Sequence, residues 1–214
     1  MSRNFNENSR VKFPALVHLC SIGYRYLSLK NMEYDVNTNI LTDVLRHKIK
    51  EFNPEKTDIE ISQFIAKISN VLDNDDLGRE FYGLLTSVSD FKLINFSEPD
   101  KNDFICTTEF TCKNGDDEFR PDITLLVNGL PIAFIEVKKP NNKEGILAER
   151  DRINKRFKNR KFRRFLNLCQ LMVFSNNQEY DTESIVPIQG AFYATNAKTK
   201  TAFNCFRDCL NFID

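Results

Sequence analysis

Two carboxylates and one lysine stand out by where they fall in the chain. Pro121-Asp122 precedes an apolar run, Ile123 to Val127, and Glu136-Val137-Lys138 closes a second run that begins at Ile132. Side chains alternate along a strand, so Glu136 and Lys138 share one face and Val137 takes the other. A short hairpin through Asn128-Gly129 joins the two runs, and its length decides where Asp122 lies. With a two-residue turn, Val127 pairs with Leu130, Asp122 falls opposite Ile135, and the two acids face apart. With a three-residue loop, Asn128-Gly129-Leu130, Val127 pairs with Pro131 and Asp122 falls opposite Glu136. A shared site demands the second register, or a bulge with the same effect.

Carboxylates directly opposite on a sheet, with Cβ atoms ~4.5–5.5 Å apart, repel unless a cation lies between them. A hard divalent ion such as Mg²⁺, or Mn²⁺ in its place, takes oxygen ligands and keeps several waters. Asp122, Glu136 and the backbone carbonyl of Val137 can supply three of those oxygens. Such an ion acidifies a bound water and polarises a phosphate oxygen. Lys138, on the same face, can orient or deprotonate that water, or neutralise charge building on phosphorus. An acid-x-Lys triplet alone carries little information, and Asp90-Phe91-Lys92 is another. Exposed Glu and Lys commonly form a solvated strand face. Here, however, the triplet ends an apolar strand, where an unpartnered charge is costly.

The elements that must position these residues follow from periodicity. Pro14 to Ile22 reads as a helix with Gly23 as its stop, and Tyr24 to Leu29 as a strand. Ile40-Leu41-Val44-Leu45-Ile49, Ile61-Phe64-Ile65-Ile68-Leu72 and Leu77-Phe81-Leu84-Leu85-Val88 keep helical spacing. They make residues 38–90 a helical insertion. Strands are expected over Phe104 to Cys112, Ile123 to Val127, Ile132 to Val137, Leu171 to Phe174 and Ala191 to Thr195. A long charged helix is expected from Glu144 to about Leu166, and a last one from Ala202 to Ile213. The fold class is α/β: a mixed sheet flanked by helices, with the helical insertion ahead of the hairpin. Residues 1–214 form one domain, with its core at about 104–176.

Lys plus Arg and Asp plus Glu are 30 each, so the net charge is zero. That excludes a polybasic protein held to its partner by bulk charge. The charge is nonetheless segregated: residues 138–164 hold twelve basic and three acidic residues, a net +9, against −9 elsewhere. Within it Lys139, Arg152, Arg156 and Arg160 are candidate contacts to phosphate groups, and docking to a protein partner is the competing use. No apolar run is long enough for a membrane span, and the start lacks the apolar core of a secretory signal. Six scattered cysteines without a Cys-x-x-Cys pair suit small buried side chains in a reducing cytoplasm. With only two histidines, His18 and His47, a histidine base is disfavoured. No Gly-rich phosphate loop is present, so no nucleotide triphosphate site is expected.

The stretch Arg120-Pro121-Asp122 through Asn128-Gly129 to Glu136-Val137-Lys138-Lys139-Pro140 closely resembles the nuclease region of the restriction (R) subunit of type I restriction–modification enzymes. That region is part of the PD-(D/E)XK nuclease superfamily. Leu19 to Leu29 resembles its opening helix and strand, and Leu171 to Asn176 its strand after the long helix. The resemblance implies a restriction-endonuclease-like fold and metal-dependent cleavage of double-stranded DNA. It makes Asp122 and Glu136 metal ligands and Lys138 the catalytic lysine. It also implies the modification and specificity subunits as partners, and ATP use only through a motor domain that this chain lacks.

Two departures accompany it. The Gln-x-x-x-Tyr motif common on the following helix is replaced by Arg152-Ile153-Asn154-Lys155-Arg156-Phe157, where Arg152 or Asn154 can substitute. Many relatives carry a glutamate on the first helix, where this chain has Lys12 and Pro14; Glu80 on a later helix is the replacement candidate. A non-catalytic DNA-binding or assembly module on the same fold is the alternative, as is a free-standing nuclease.

Overall fold

The computed structural model describes residues 11–87, 90–138, 151–152, 155–175, 191–195 and 204–205, the last two stretches by backbone alone. In chain order the main elements are α1 (Phe13–Ser21), β1 (Arg25–Tyr26), α2 (Thr42–Phe52), α3 (Asp58–Val71) and α4 (Arg79–Thr86). Next come β2 (Phe104–Thr108), β3 (Cys112–Asn114), β4 (Asp117–Phe119), β5 (Ile123–Val127) and β6 (Leu130–Val137). The last are α5 (Arg163–Leu168), β7 (Leu171–Ser175), β8 (Ala191–Thr195) and β9 (Asn204–Cys205). Seven strands form one mixed sheet in the order β1-β2-β5-β6-β7-β8-β9, and β3 with β4 forms a separate hairpin. The β1–β2 and β6–β7 pairs are parallel; the rest of the sheet is antiparallel.

Most helix and strand readings hold, and the differences have local causes. The strand expected at Tyr24–Leu29 pairs only over Arg25–Tyr26, then tightens into a single turn at Leu29–Asn31. β2 stops at Thr108 rather than Cys112 because Glu109 adopts a left-handed backbone, φ 57°. Residues 112–119 then fold back as β3 and β4 around Gly115. α4 begins at Arg79, since Leu77 and Gly78 have positive φ, and the Asp76 carboxylate accepts from the Gly78 and Glu80 N–H groups. That is the usual way an acidic side chain satisfies the open donors of a helix start.

The long charged helix is not continuous. Residues 151–152 and 155–158 are helical, but Asn159 is extended (ψ 108°) and its side chain caps the next turn at Lys161 N–H, 3.0 Å. An Asn bonding its own backbone two residues on competes with helix propagation. Helix resumes as α5 and runs to Leu168. The terminal helix expected at Ala202–Ile213 is overturned at Asn204–Cys205, which pair with β8; its other positions lie outside the described residues.

Three apolar clusters pack on this framework. Phe110, Phe119, Leu126, Phe134, Phe162, Phe165 and Met172 pack together between sheet and α5. Leu19 of α1 meets Cys106 and Ile123. The helical insertion has its own cluster, Leu45, Ile49, Ile61, Phe64, Ile68 and Phe81, which reaches Leu130 on β6 and Leu168 on α5. The insertion is thus packed onto the hairpin rather than tethered beside it. Within it, Thr57 and Glu60 form a reciprocal capping box at the start of α3.

The β5–β6 turn is the key joint. Asn128 (φ 53°) and Gly129 (φ 85°) are both left-handed, as a two-residue turn of the tight hairpin class requires. Buried Asn128 donates to Leu93 O (2.8 Å) and Asn102 Oδ1 (2.9 Å) and accepts from Asp103 N–H (2.8 Å). Gly129 O accepts from Leu41 N–H at 2.9 Å, and a Cβ on Gly129 would sit 2.7 Å from Leu41 O. Gly129→Ala should therefore cost about 2 kcal/mol or more, from positive φ and backbone collision together. Urea unfolding would read it.

Cys106, Cys112 and Cys169 are buried as expected, but Cys20 is exposed on α1. Burial pushes the Cys112 thiol up to about 12 and Cys106 up to about 11. Thiolates are the reactive species. In native protein, iodoacetamide at about pH 8 should label Cys20 and spare these three, as peptide mapping would show; rapid labelling of Cys112 would contradict the packing.

Candidate active site

Register decides whether the two acids meet. Val127 pairs with Leu130 and Leu126 with Pro131, the two-residue-turn pattern, which by itself would separate Asp122 from Glu136. The pairing then shifts: Leu125 meets Ala133, Thr124 meets Phe134 and Ile123 meets Ile135. Ile132 is the extra residue of a β-bulge, and its carbonyl accepts from Gln170 N–H at 2.7 Å. One inserted residue moves every following side chain to the opposite face. Asp122, next before Ile123, is thereby brought opposite Glu136.

The two carboxyls sit in a nest of compensating groups. Val137 N–H donates to Asp122 Oδ2 at 3.0 Å, and the Glu136 carboxyl lies against Asp122. Lys12, entering from the residue before α1, reaches Asp122 Oδ1 at 3.2 Å and also Glu109. Arg120 Nε holds the other oxygen of Glu109 at 2.8 Å. Lys138 Nζ and Arg156 approach opposite oxygens of Glu136, each at 4.0 Å. Glu136 is only 5% exposed and Lys12 8%. Burying these charges is tolerable only because each has opposite charges beside it.

The electrostatics follow from that geometry. Burial pushes the Asp122 carboxyl up, but the Val137 N–H, the Glu136 carboxyl and the charges of Lys12 and Lys138 outweigh it, holding it below the ordinary 3.8. Burial pushes Lys12 down, and its bonds to Glu109 and Asp122 more than reverse this, holding it above 10.5. Lys12 thus remains an ammonium.

The expected residues fall into three groups. Asp122, Glu136, Val137 and Lys138 are brought together at the end of the β5–β6 hairpin. Arg156 joins them. It turns inward, its guanidinium 4.1 Å from the centre of the Phe119 ring, while also approaching Glu136. Arg152 lies exposed in the helical backbone at 151–152, and Arg160 lies exposed in the turn Arg160–Phe162. Glu80 stands on the exposed side of α4, where Asn74 donates to it at 2.5 Å, within the helical insertion. Lys139 and Asn154 lie outside the described residues.

Part of the basic segment is spent internally. Arg164 makes two 2.7 Å bonds to Asp73, Arg163 pairs with Asp75 at 3.0 Å, and Lys161 pairs with Asp117 at 3.3 Å. These pairs fasten the segment to the acidic remainder of the chain. Lys155, Lys158 and Arg160 stay exposed.

Sequence reasoning missed Glu109, Arg120 and the β3–β4 hairpin. It noted Lys12 only as a departure. Phe119 of β4 packs edge-on against Phe134, Phe162 and Phe165, which fixes the ring that Arg156 lies against.

The donor set fits a hard divalent cation: two adjoining carboxylates with little exposure, and a strand-end carbonyl at Val137. Among the described residues no group of three or more His, Cys, Asp or Glu forms a ready-made cage. An ion here would therefore rely on Asp122, Glu136, the Val137 carbonyl and water.

A mixed sheet with flanking helices, carrying an acid pair and a lysine on one hairpin, is a restriction-endonuclease-like fold. The model of the type I restriction enzyme R protein N terminus matches residues 4–182, and the chain belongs to that family. It is 28% identical over 166 residues to a protein of Methanocaldococcus jannaschii described as a type I restriction enzyme endonuclease subunit, MjaIXP. That match covers 65% of this chain and 16% of the relative. A second, MjaVIIP, from the same organism and similarly described, is 46% identical over 48 residues, which is 22% of this chain and 4% of that protein. The chain thus spans only a small part of these relatives. Among the described residues no helix is long and apolar enough to cross a membrane.

Asp122→Asn should lower stability by about 1–3 kcal/mol near pH 7, because Lys12 loses one charged acceptor. A carboxyl depressed by folding stabilises above its unfolded value and loses that contribution as pH falls through its folded value. The difference between wild type and Asp122→Asn should therefore close below the ordinary 3.8. Urea unfolding at about pH 7 and about pH 3 would show it.

Proposed function

We propose that this chain is the nuclease domain of a type I restriction R subunit, hydrolysing DNA phosphodiester bonds with Mg²⁺, or Mn²⁺ in its place. The observation that carries the reading is the bulge at Ile132, which sets Asp122 opposite Glu136 with Lys138 two residues on. The bulge gathers two acids face to face beside Lys12, Lys138 and Arg156, the set of oxygens and charges that metal-assisted phosphodiester hydrolysis uses.

Asp122, Glu136 and the Val137 carbonyl would hold the ion, which supplies Lewis acidity toward a phosphate oxygen and lowers the pKa of a bound water. Val137 N–H fixes one oxygen of Asp122 and so sets the direction of the other. Lys138, beside Glu136, orients the attacking water and balances charge on the phosphoryl oxygens as the sugar oxygen leaves. Arg156, over the Phe119 ring, holds the Glu136 carboxylate in place from the opposite side. Exposed Lys155, Lys158 and Arg160 would meet DNA phosphates without reading bases. Sequence choice then belongs to the modification and specificity subunits, and ATP-driven movement to a motor outside this domain.

In the assembled complex, Asp122→Ala, Glu136→Ala and Lys138→Ala should each reduce DNA cleavage by about 10³-fold or more, while ATP hydrolysis stays near wild type. Cleavage that survives Glu136→Ala and Lys138→Ala would leave the fold a DNA-binding or assembly role.

A further inference from the structure

Lys12 occupies an unfavourable place for a cation. It is 8% exposed, in helical backbone next before α1, so its charge is buried and needs partners. What holds it there is a pair of carboxylates from two different strand ends, Asp122 and Glu109. Glu109 is itself held in an uncommon conformation, φ 57°, while its N–H donates to the backbone carbonyl of Asp122 at 3.3 Å. Arg120 takes the outer oxygen of Glu109, which leaves the inner one to Lys12.

The oxygens of Asp122 are divided in the same way. Oδ2 is committed to the Val137 N–H at 3.0 Å, and Oδ1 faces the Lys12 ammonium at 3.2 Å. Oδ1 is therefore the oxygen through which Asp122 can ligate an ion, and a cation already stands against it.

We propose, resting on the metal-site reading above, that Lys12 is a resident counter-ion that competes with the divalent metal for Asp122 Oδ1. Glu109 is the acceptor that keeps the ammonium when the metal enters. Both are positioning residues: they set metal affinity through Asp122 and touch neither DNA nor the reacting atoms. The exchange keeps the acid pair neutralised in either state, so the hairpin need not hold two bare buried charges.

The test is a Mn²⁺ titration of the full-length protein without nucleotide, followed by the loss of the free-ion paramagnetic resonance signal. The site's own binding is the portion abolished by Asp122→Asn. Lys12→Met should tighten that portion about tenfold, because a charge a few ångströms from the ion is removed. Lys12→Arg, which keeps the charge, should stay near wild type and also covers any folding loss from the shorter-range packing of Met. Glu109→Gln should weaken binding several-fold in the wild-type background and leave it unchanged in the Lys12→Met background, since its effect runs through the lysine. Unchanged or weaker affinity in Lys12→Met overturns the proposal, as does tightening by Lys12→Arg to the same extent. An equal Glu109→Gln effect in both backgrounds also overturns it. Absence of any Asp122-dependent binding in all variants would instead overturn the metal-site reading itself.

Discussion

Everything at the site depends on one residue of slack in a hairpin. The tight turn at Asn128-Gly129 is dictated by its residues, both in left-handed backbone, and by Asn128 hydrogen bonds that tie it to Leu93, Asn102 and Asp103. Such a turn alone would put Asp122 and Glu136 on opposite faces. The bulge at Ile132 restores them to one face, and Gln170 N–H satisfies its carbonyl. The turn serves packing, since Gly129 meets Leu41 of the helical insertion, and the bulge serves the acid pair. The two demands are reconciled within eight residues of β6.

Charge organisation repeats the same logic at larger scale. The acid pair is balanced by Lys12 from one side of the hairpin and by Lys138 and Arg156 around Glu136. The segment with +9 is partly folded back onto the acidic remainder through Asp73, Asp75 and Asp117, which anchors α5 and the turn before it. Exposed pairs of this kind contribute little stability singly. Their placement matters more, because it leaves Lys155, Lys158 and Arg160 outward and turns Arg156 inward.

Much of this was legible in the sequence because it is local. Strand alternation placed Glu136 with Lys138, helical spacing located α2 and α3, and Asn128-Gly129 marked the turn. The register was legible only as a condition: either a longer loop or a bulge, and a bulge within an apolar run has no local marker. The break at Asn159 was obscured because a polar, charged stretch fits an exposed helix and a capped turn equally well. Cys20 carries no sign that it faces outward from α1. Lys12 converges on Glu109 from 97 residues earlier in the chain, and Arg120 comes to Glu109 across the β3–β4 hairpin. No spacing rule connects them. Phe119 is similar: one aromatic among nineteen phenylalanines, and its role beneath Arg156 exists only once β3–β4 folds over the core.

The most direct test of the central claim is anomalous scattering from crystals soaked in Mn²⁺. The bulged register predicts a single strong peak between the Asp122 and Glu136 carboxylates, near the Val137 carbonyl, and no such peak in crystals of Asp122→Asn. An ordered hairpin with the two carboxylates facing one another and no manganese between them at millimolar concentration would contradict it.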